Sequence, residues 1–218
     1  IEACLVGSEM CIRDSIKGVE ELKLVDYKVI PDRIEAGSYI LATMATKGRL
    51  RLNNFNPNDL TFPLKIYQDM GLKIKKISKT SYEFNCKTLK PIKKISTKEF
   101  PGYPTDLQAQ LIATQLKSAL KSKVVENIFE NRFIHIPELR RFGANLSIIG
   151  KTVTIHKTLN LFGAEVMATD IRASFSLIIA AMMSKGTTVI NRIYHLDRGY
   201  EDFDLKLKKC GVNISRKK

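Results

Sequence analysis

DRIEAGSYILATMATKG (Asp32–Gly48) and DIRASFSLIIAAMMSKG (Asp170–Gly186) are two copies of one seventeen-residue stretch. Both open on Asp, both carry Ser at the seventh place (Ser38, Ser176), both run through an apolar centre, and both close on Lys-Gly. A third stretch, DLQAQLIATQLKSALKS (Asp106–Ser122), keeps the opening Asp and the length. The copies start 74 and 64 residues apart. A repeat of this period means that one supersecondary unit recurs and that each unit buries its apolar face against its neighbours.

The reading of one copy carries to the others. Asp is a strong N-cap because its carboxylate accepts orphan backbone N–H groups of the first turn. A helix follows, apolar nearly all round in the first and third copies, which indicates burial on every side. Gly48 and Gly186 stand where a left-handed C-cap is expected. Each helix leads into a β-rich run: RLRLNNF from Arg49, KVVENIF from Lys123 and TTVINRIY from Thr187. A second, amphipathic helix then ends at Gly71, Gly143 and Gly211, and a further strand is predicted after each of these glycines. Burying three apolar helices requires them to face one another, with the sheets outside. The predicted fold is therefore an α/β prism of three pseudo-symmetric repeats, helices in and sheets out. Residues 16–218 form one domain in this reading, with repeats near 30–95, 96–160 and 161–218.

The composition agrees with a packed domain. The chain has 218 residues, 44% apolar and 27% charged, ample for a core and far from a disordered or collagen-like composition. No apolar run approaches the roughly 20 residues that span a bilayer; Leu177–Met183 fits a buried helix instead. Thirty-six Lys and Arg against 22 Asp and Glu give a net charge of +14. This favours anionic partners in general. The lysines are dispersed, however, and there is no RNP-like motif, no RGG tract and no zinc-finger spacing, so they read as a solvated surface, with no nucleic-acid or membrane partner predicted. Cys4, Cys11, Cys86 and Cys210 form no CxxC pair, and His135, His156 and His195 have no metal spacing, so neither a disulfide framework nor a metal site is predicted. The three histidines read as structural. The first fifteen residues, IEACLVGSEMCIRDS, show no sustained period and no signal-peptide pattern. Leu5–Asp14 resembles one reading frame of a sequencing adaptor, so Ile1–Ser15 reads as foreign to the domain.

Five further strings occur in order: PDRIEAGSY (Pro31–Tyr39), PGYPTDLQAQ (Pro101–Gln110), FENRF (Phe129–Phe133), ATDIRAS (Ala168–Ser174) and RIYHLDRGYE (Arg192–Glu201). Together they resemble the UDP-N-acetylglucosamine 1-carboxyvinyltransferase (enolpyruvyl transferase) family, over essentially all of 16–218. The related 5-enolpyruvylshikimate-3-phosphate synthases share the fold, but PTDLQAQ and RIYHLDRGYE look like the sugar-nucleotide enzymes. The resemblance implies the inverse α/β prism, which agrees with the repeat. It also implies transfer of enolpyruvyl from phosphoenolpyruvate to the 3-hydroxyl of UDP-N-acetylglucosamine, the first committed step of peptidoglycan synthesis, in the cytoplasm and with no cofactor. Family enzymes are about twice as long. The second prism domain, with its mobile loop and its phosphate-gripping Lys and Arg, has no counterpart here, so the chain alone is predicted inactive. A non-catalytic sugar-nucleotide-binding module is the alternative from another class.

The site residues come from the same motifs. Asp106, in PTDLQAQ, is implied as the base at the sugar 3-hydroxyl; on residue type alone it reads as an N-cap like Asp32 and Asp170. Ile128 is implied to line the uridine-nucleotide site, though by pattern alone it reads equally as a core strand residue. Arg132, Arg172 and Arg198 match the family's arginines at the interdomain cleft, where a planar fork of donors suits phosphate and carboxylate. Arg198 is implied to meet the anion derived from phosphoenolpyruvate. Asp170 is implied to orient one of these arginines while capping its own helix. Because Ile1–Ser15 lacks a periodic apolar face, deleting it is expected to leave the thermal midpoint of the chain unchanged; a fall of many degrees in a calorimetric scan would make the segment native structure.

Overall fold

Residues 17–118 and 120–217 are described in the structure, a computed structural model of the chain. The reading of Ile1–Ser15, with Cys4 and Cys11, lies outside them. The first unit comprises α1 (Arg33–Ala45), β1 (Arg49–Leu52), α2 (Thr61–Asp69), β2 (Lys73–Lys76) and β3 (Tyr82–Asn85). The second comprises β4 (Lys94–Ser96), α3 (Gln108–Gln115), β5 (Ser122–Val125), α4 (Ile136–Arg141), β6 (Leu146–Ile149) and β7 (Thr152–Ile155). The third comprises β8 (Glu165–Met167), α5 (Phe175–Met183), β9 (Val189–Asn191), α6 (Tyr194–Asp197) and α7 (Phe203–Lys209).

The central helices α1, α3 and α5 pack against one another in all three pairings. Their burial shows why. Gly37 through Met44 of α1 are buried without a break, every residue of α3 is buried, and so are Phe175–Ala180 of α5. Apolar helices such as α1 and α5 bury on every side, and α3 is enclosed between them although it carries Gln108, Gln110, Thr114 and Gln115. Each sheet then lies outside, by strand alternation. In the first sheet, ordered β1-β3-β2 and wholly antiparallel, Leu50, Phe84 and Ile74 share a register row and face inward. The neighbouring rows place Arg49, Arg51, Lys73 and Lys75 outward, around Glu83 and Asn85. These four Lys and Arg are therefore the solvated side of a period-two pattern. The second sheet, β4-β5-β7-β6, aligns Ile95, Val124 and Val153 in the same way. The third pairs β8 with β9 in parallel. In the second and third units a strand ahead of the central helix pairs in parallel with the strand after it. Ahead of α1, residues 17–31 carry neither helix nor strand and are exposed up to Pro31.

The second helices stop where predicted, because Gly71, Gly143 and Gly211 adopt φ of +106°, +88° and +90°. At Gly71 space is closed as well: a Cβ there would lie 2.2 Å from the Thr88 carbonyl oxygen. Other expectations are corrected. The left-handed residue after α1 is Lys47 (φ +54°), not Gly48, whose amide instead closes the turn onto the Thr43 carbonyl at 2.9 Å. Gly186 is left-handed (φ +86°), but α5 has already ended at an extended Ser184. The middle helix stops at Gln115, short of its predicted length, because the chain turns there to enter β5. No strand follows Gly211 among residues 212–217, although Val212 and Ile214 pack on the core.

The three helices meet at one polar junction. Gln110 Nε2, on α3, lies 3.1 Å from each of Ser38 Oγ on α1, the Arg172 carbonyl ahead of α5 and Tyr200 Oη. Ser38 Oγ also donates to the Ile34 carbonyl (2.9 Å) and lies 2.8 Å from Tyr200 Oη. Burial, opposed by these contacts, still pushes the Tyr200 phenol up to about 12. Ser176, the counterpart of Ser38 in the third copy, makes no such contact. Stacking of Phe175 on Tyr200 (4.6 Å between ring centres) and contact of Phe175 with Tyr39 (5.3 Å) close the junction. A buried carbonyl that loses its donor keeps its desolvation penalty. Gln110→Leu is therefore expected to cost about 1–3 kcal/mol of unfolding free energy, with Ser38→Ala showing non-additive coupling to it in a denaturant double-mutant cycle. Additive, near-neutral values would show that the junction holds nothing together.

His135, immediately before α4, is buried, and neither ring nitrogen finds a hydrogen-bond partner among the described residues. Desolvation, opposed by Asp170 and aided by Arg132, pulls its folded pKa down to about 3. The unfolded chain therefore takes up this proton near pH 6.5 while the fold refuses it until about pH 3. Stability held above pH 6.5 is lost as pH falls through that window, by up to about 1.4 kcal/mol per pH unit. His135→Leu is expected to flatten the pH dependence of the urea midpoint between pH 6.5 and 4; an unchanged slope would place His135 in contact with water.

Candidate active site

The three opening aspartates sit at equivalent places and do three different things. Asp32 is a cap: its Oδ1 accepts from the amides of Ile34 (2.7 Å) and Glu35 (3.1 Å). Its other oxygen accepts from Arg172 Nη2 at 2.9 Å, which ties the start of α1 to the approach of α5. Asp170 accepts from the amides of Arg172 (2.8 Å) and Ala173 (2.7 Å), and so caps the turn that enters α5. Asp106 caps nothing. It lies inside a 3₁₀ turn, Thr105–Leu107, and its Oδ1 accepts from Arg132 Nη2 at 2.5 Å. Oδ2 takes no hydrogen bond from the described residues, and the side chain is about one-third exposed. The one Asp freed from capping is thus the one that the PTDLQAQ motif singled out.

Arg132 comes from the loop between β5 and α4. Its Nη1 donates to Thr105 Oγ1 at 2.8 Å, so both forks of the guanidinium grip the turn that carries Asp106. The Phe129 ring lies under it, 5.0 Å from the guanidinium carbon, a cation–π contact that fixes the plane. Ile128 stands outside β5, in the same loop, and is half-buried; it is not a core strand residue. It lines an open cleft of roughly 870 Å³ together with Thr97, Phe100, Tyr103 and Asn127.

Arg172 is held on both forks, by Asp32 and by the Gly199 carbonyl at 2.8 Å, with its guanidinium 5.4 Å from the Tyr200 ring. Burial works against its charge, but Asp32, with help from Tyr200 and Asp106, overcomes this and moves the pKa up. Gly199 has to be glycine for this grip. A Cβ there would come within 2.4 Å of the Ile171 side chain. Arg198 is exposed, forms no ion pair among the described residues, and lines a second cleft of roughly 700 Å³ with Asp32, Glu35 and Tyr200. Arg132 and Arg172 are thus locked in place, whereas Arg198 is presented to solvent at the cleft. Asp170 differs from expectation in one respect: it holds the backbone of Arg172, and the carboxylate on the guanidinium belongs to Asp32.

Sequence reasoning assigned Asp32 only a cap, and passed over Thr105, Glu126 and Gly199. Asp32 and Gly199 lie in the quoted motifs, so the signal was present; their partners are 140 and 27 residues away, which no local pattern reveals. No group of three or more His, Cys, Asp or Glu among the described residues is placed to hold a metal ion. Nor is any of the described helices long and apolar enough to cross a membrane.

Comparison with known proteins follows the same lines. The chain is 47% identical over 201 residues to a UDP-N-acetylglucosamine 1-carboxyvinyltransferase of Pelagibacter ubique, a match covering 92% of this chain and 48% of that protein. It is 48% identical over 198 residues to the protein of the same name from Campylobacter lari, covering 90% and 47%. The chain spans about half the length of these curated relatives. Among solved structures it superimposes on the enolpyruvyl transferase NikO from Streptomyces tendae with a TM-score of 0.76 at 25% identity, over 86% of this chain and 44% of that one. An EPSP synthase from Acinetobacter baumannii gives a TM-score of 0.65 at 14% identity, covering 85% and 46%, a likeness of fold. The profile of the family described as EPSP synthase (3-phosphoshikimate 1-carboxyvinyltransferase) matches residues 9–207, and the chain belongs to that family of inverse α/β proteins.

Proposed function

We propose that this chain is one prism domain, within residues 16–218, of an enzyme that transfers enolpyruvyl from phosphoenolpyruvate to the 3-hydroxyl of UDP-N-acetylglucosamine. A second domain of the same enzyme supplies the mobile loop and the remaining phosphate grip. The observation that carries this reading is Asp106: alone of the three repeat aspartates it leaves its cap, pairs with Arg132 and keeps one carboxylate oxygen open. The 47–48% identity to sugar-nucleotide enzymes, against 14% to an EPSP synthase, supports this substrate over a shikimate. Both substrates suit a cytoplasmic location and peptidoglycan assembly.

In this reading the Oδ2 atom of Asp106 takes the proton of the sugar 3-hydroxyl as its oxygen bonds to C2 of phosphoenolpyruvate. The alkene CH₂ takes a proton from the partner domain, giving a tetrahedral adduct. Loss of a proton from the resulting methyl group and departure of phosphate from C2 restore the double bond. Arg132 holds the base in aim and balances its charge. Arg172, already neutralised by Asp32, shapes the wall, and the free Arg198 meets the carboxylate and phosphate, where a fixed cation is most effective. The cleft beside Ile128 takes the nucleotide, and no cofactor enters.

The test uses an enzyme completed with a family N-terminal domain, with the 218-residue chain alone as the inactive baseline. Asp106→Asn keeps shape and is expected to lower turnover by roughly 10²–10⁴, the scale of general-base loss, with a much smaller effect on sugar-nucleotide binding. Arg198→Ala is expected to act mainly on the KM for phosphoenolpyruvate. Near-normal phosphate release from Asp106→Asn would send the search for the base elsewhere; sugar-nucleotide binding without turnover in the completed wild type would favour a binding module.

A further inference from the structure

Glu126 follows the last residue of β5 and is 1% exposed. Its carboxylate accepts four hydrogen bonds. Oε1 takes the Thr97 hydroxyl (2.9 Å) and the amides of Ile128 (2.8 Å) and Phe129 (3.2 Å). Oε2 takes the Thr105 hydroxyl at 2.8 Å. No cation pairs with it directly among the described residues. A buried carboxylate is costly unless its lone pairs are filled, and here they are filled by two loops that belong to the two halves of the site.

The direction of one hydroxyl gives this arrangement its consequence. Thr105 has a single hydroxyl proton, and it is committed to Glu126. Only lone pairs of Thr105 Oγ remain for Arg132, whose Nη1 donates to them at 2.8 Å. With Nη1 so anchored, Nη2 falls on Asp106. The chain Arg132 → Thr105 → Glu126 therefore runs one way, and the negative end that sets its direction is Glu126. The same carboxylate holds the Ile128–Phe129 amides, and the Phe129 ring supports the face of Arg132. Capping the short turn at 127–129 needs only a short acceptor such as Asp or Ser; reaching Thr105 as well needs the longer side chain and a group that can only accept.

We propose that Glu126 is a positioning residue for the reaction. Acting through Thr105, it fixes Arg132 and thereby aims Asp106, and acting through the Ile128 and Phe129 amides, it shapes the nucleotide cleft. The proposal rests on the reading of Asp106 as the base. Glu126→Gln separates the two arms. Its remaining oxygen still accepts from the 128–129 amides, but its NH₂ faces Thr105 and donates where the carboxylate accepted, so the Thr105 hydroxyl proton loses its acceptor and the oxygen that anchors Arg132 loses its fixed direction. Thr105→Val removes the link, and Thr105→Ser restores it.

Two measurements decide the matter. In the ¹⁵N-labelled 218-residue chain, the Arg132 guanidinium resonances are expected to be resolved and slowly exchanging in the wild type and in Thr105→Ser, and averaged in Glu126→Gln and Thr105→Val. The amide shifts of Ile128 and Phe129 should hold in both of the latter and move only in Glu126→Ala. In the completed enzyme, Glu126→Gln and Thr105→Val are expected to lower kcat by roughly tenfold or more, the scale on which supporting partners of site residues act. The KM for the sugar nucleotide stays near wild type, whereas Glu126→Ala raises it as well. Unchanged Arg132 resonances in both variants overturn the relay whatever the enzyme does. A wild-type kcat in Glu126→Gln, in an active completed enzyme, overturns its catalytic consequence alone. A completed wild-type enzyme that transfers nothing to UDP-N-acetylglucosamine overturns the reading of Asp106 and this consequence with it, while the resonances still decide the relay.

Discussion

Three central helices, two of them largely apolar and the third buried with its polar residues, must be covered by one another, and the rest of the molecule is arranged around that requirement. Each of α1, α3 and α5 is covered by the other two, with β1 and β3 also on α1, β5 on α3 and α4 on α5. Full burial of one Leu- or Ile-sized side chain is worth about 1.5–3 kcal/mol, so helices buried over most of their length outweigh any alternative that exposes a face. The price is that polar groups caught in the middle must satisfy each other. Gln110 Nε2, Ser38 Oγ, Tyr200 Oη and the Arg172 carbonyl do this where the three helices meet, whereas Gln110 Oε1 finds no partner among the described residues.

That junction also sets where the three helix starts lie. Because Gln110 holds the Arg172 backbone and Asp32 holds its side chain, the starts of all three helices converge. Three turns bearing Asp come together with two clamped arginines and a free one. A pseudo-threefold scaffold provides three equivalent positions, and their surroundings make them differ. Asp32 and Asp170 remain caps, which stabilises α1 and the approach to α5. Asp106 is displaced into a 3₁₀ turn, where Arg132 rather than backbone amides takes its carboxylate. Symmetry thus builds the platform and a local departure from it builds the proposed site.

Burial meets different hydrogen-bond surroundings at His135 and Glu126, each 1% exposed. His135 has no hydrogen-bond partner among the described residues and is driven neutral. Glu126 has four donors. The contrast is one of hydrogen-bond supply: a buried group without partners sheds its charge, and a group with a complete set of donors can be used to direct its neighbours.

The repeat, the burial of α1 and α5, the glycine stops at Gly71, Gly143 and Gly211, and the five motifs were all legible in the sequence, since each depends on local spacing or on residue type. Motif resemblance also named Asp106, Arg132, Arg172 and Arg198, and the structure pairs the first two with each other and the third with Asp32. What the linear pattern did not carry was partnership. Capping looks the same for Asp32, Asp106 and Asp170 until their neighbours are known. Lys47 rather than Gly48 takes the left-handed turn because the path into β1 demands it one residue earlier. The polar residues of α3 lie inside because the α1 and α5 surfaces meet them there. Asp32 finds Arg172 across 140 residues, and Glu126 finds Thr105 across 21. Helix and strand periods are set by backbone geometry and hydrophobicity, which act over a few residues. The identity of the group that neutralises a buried charge is set by which distant segments the packed core brings within 3 Å, and only the tertiary structure decides that.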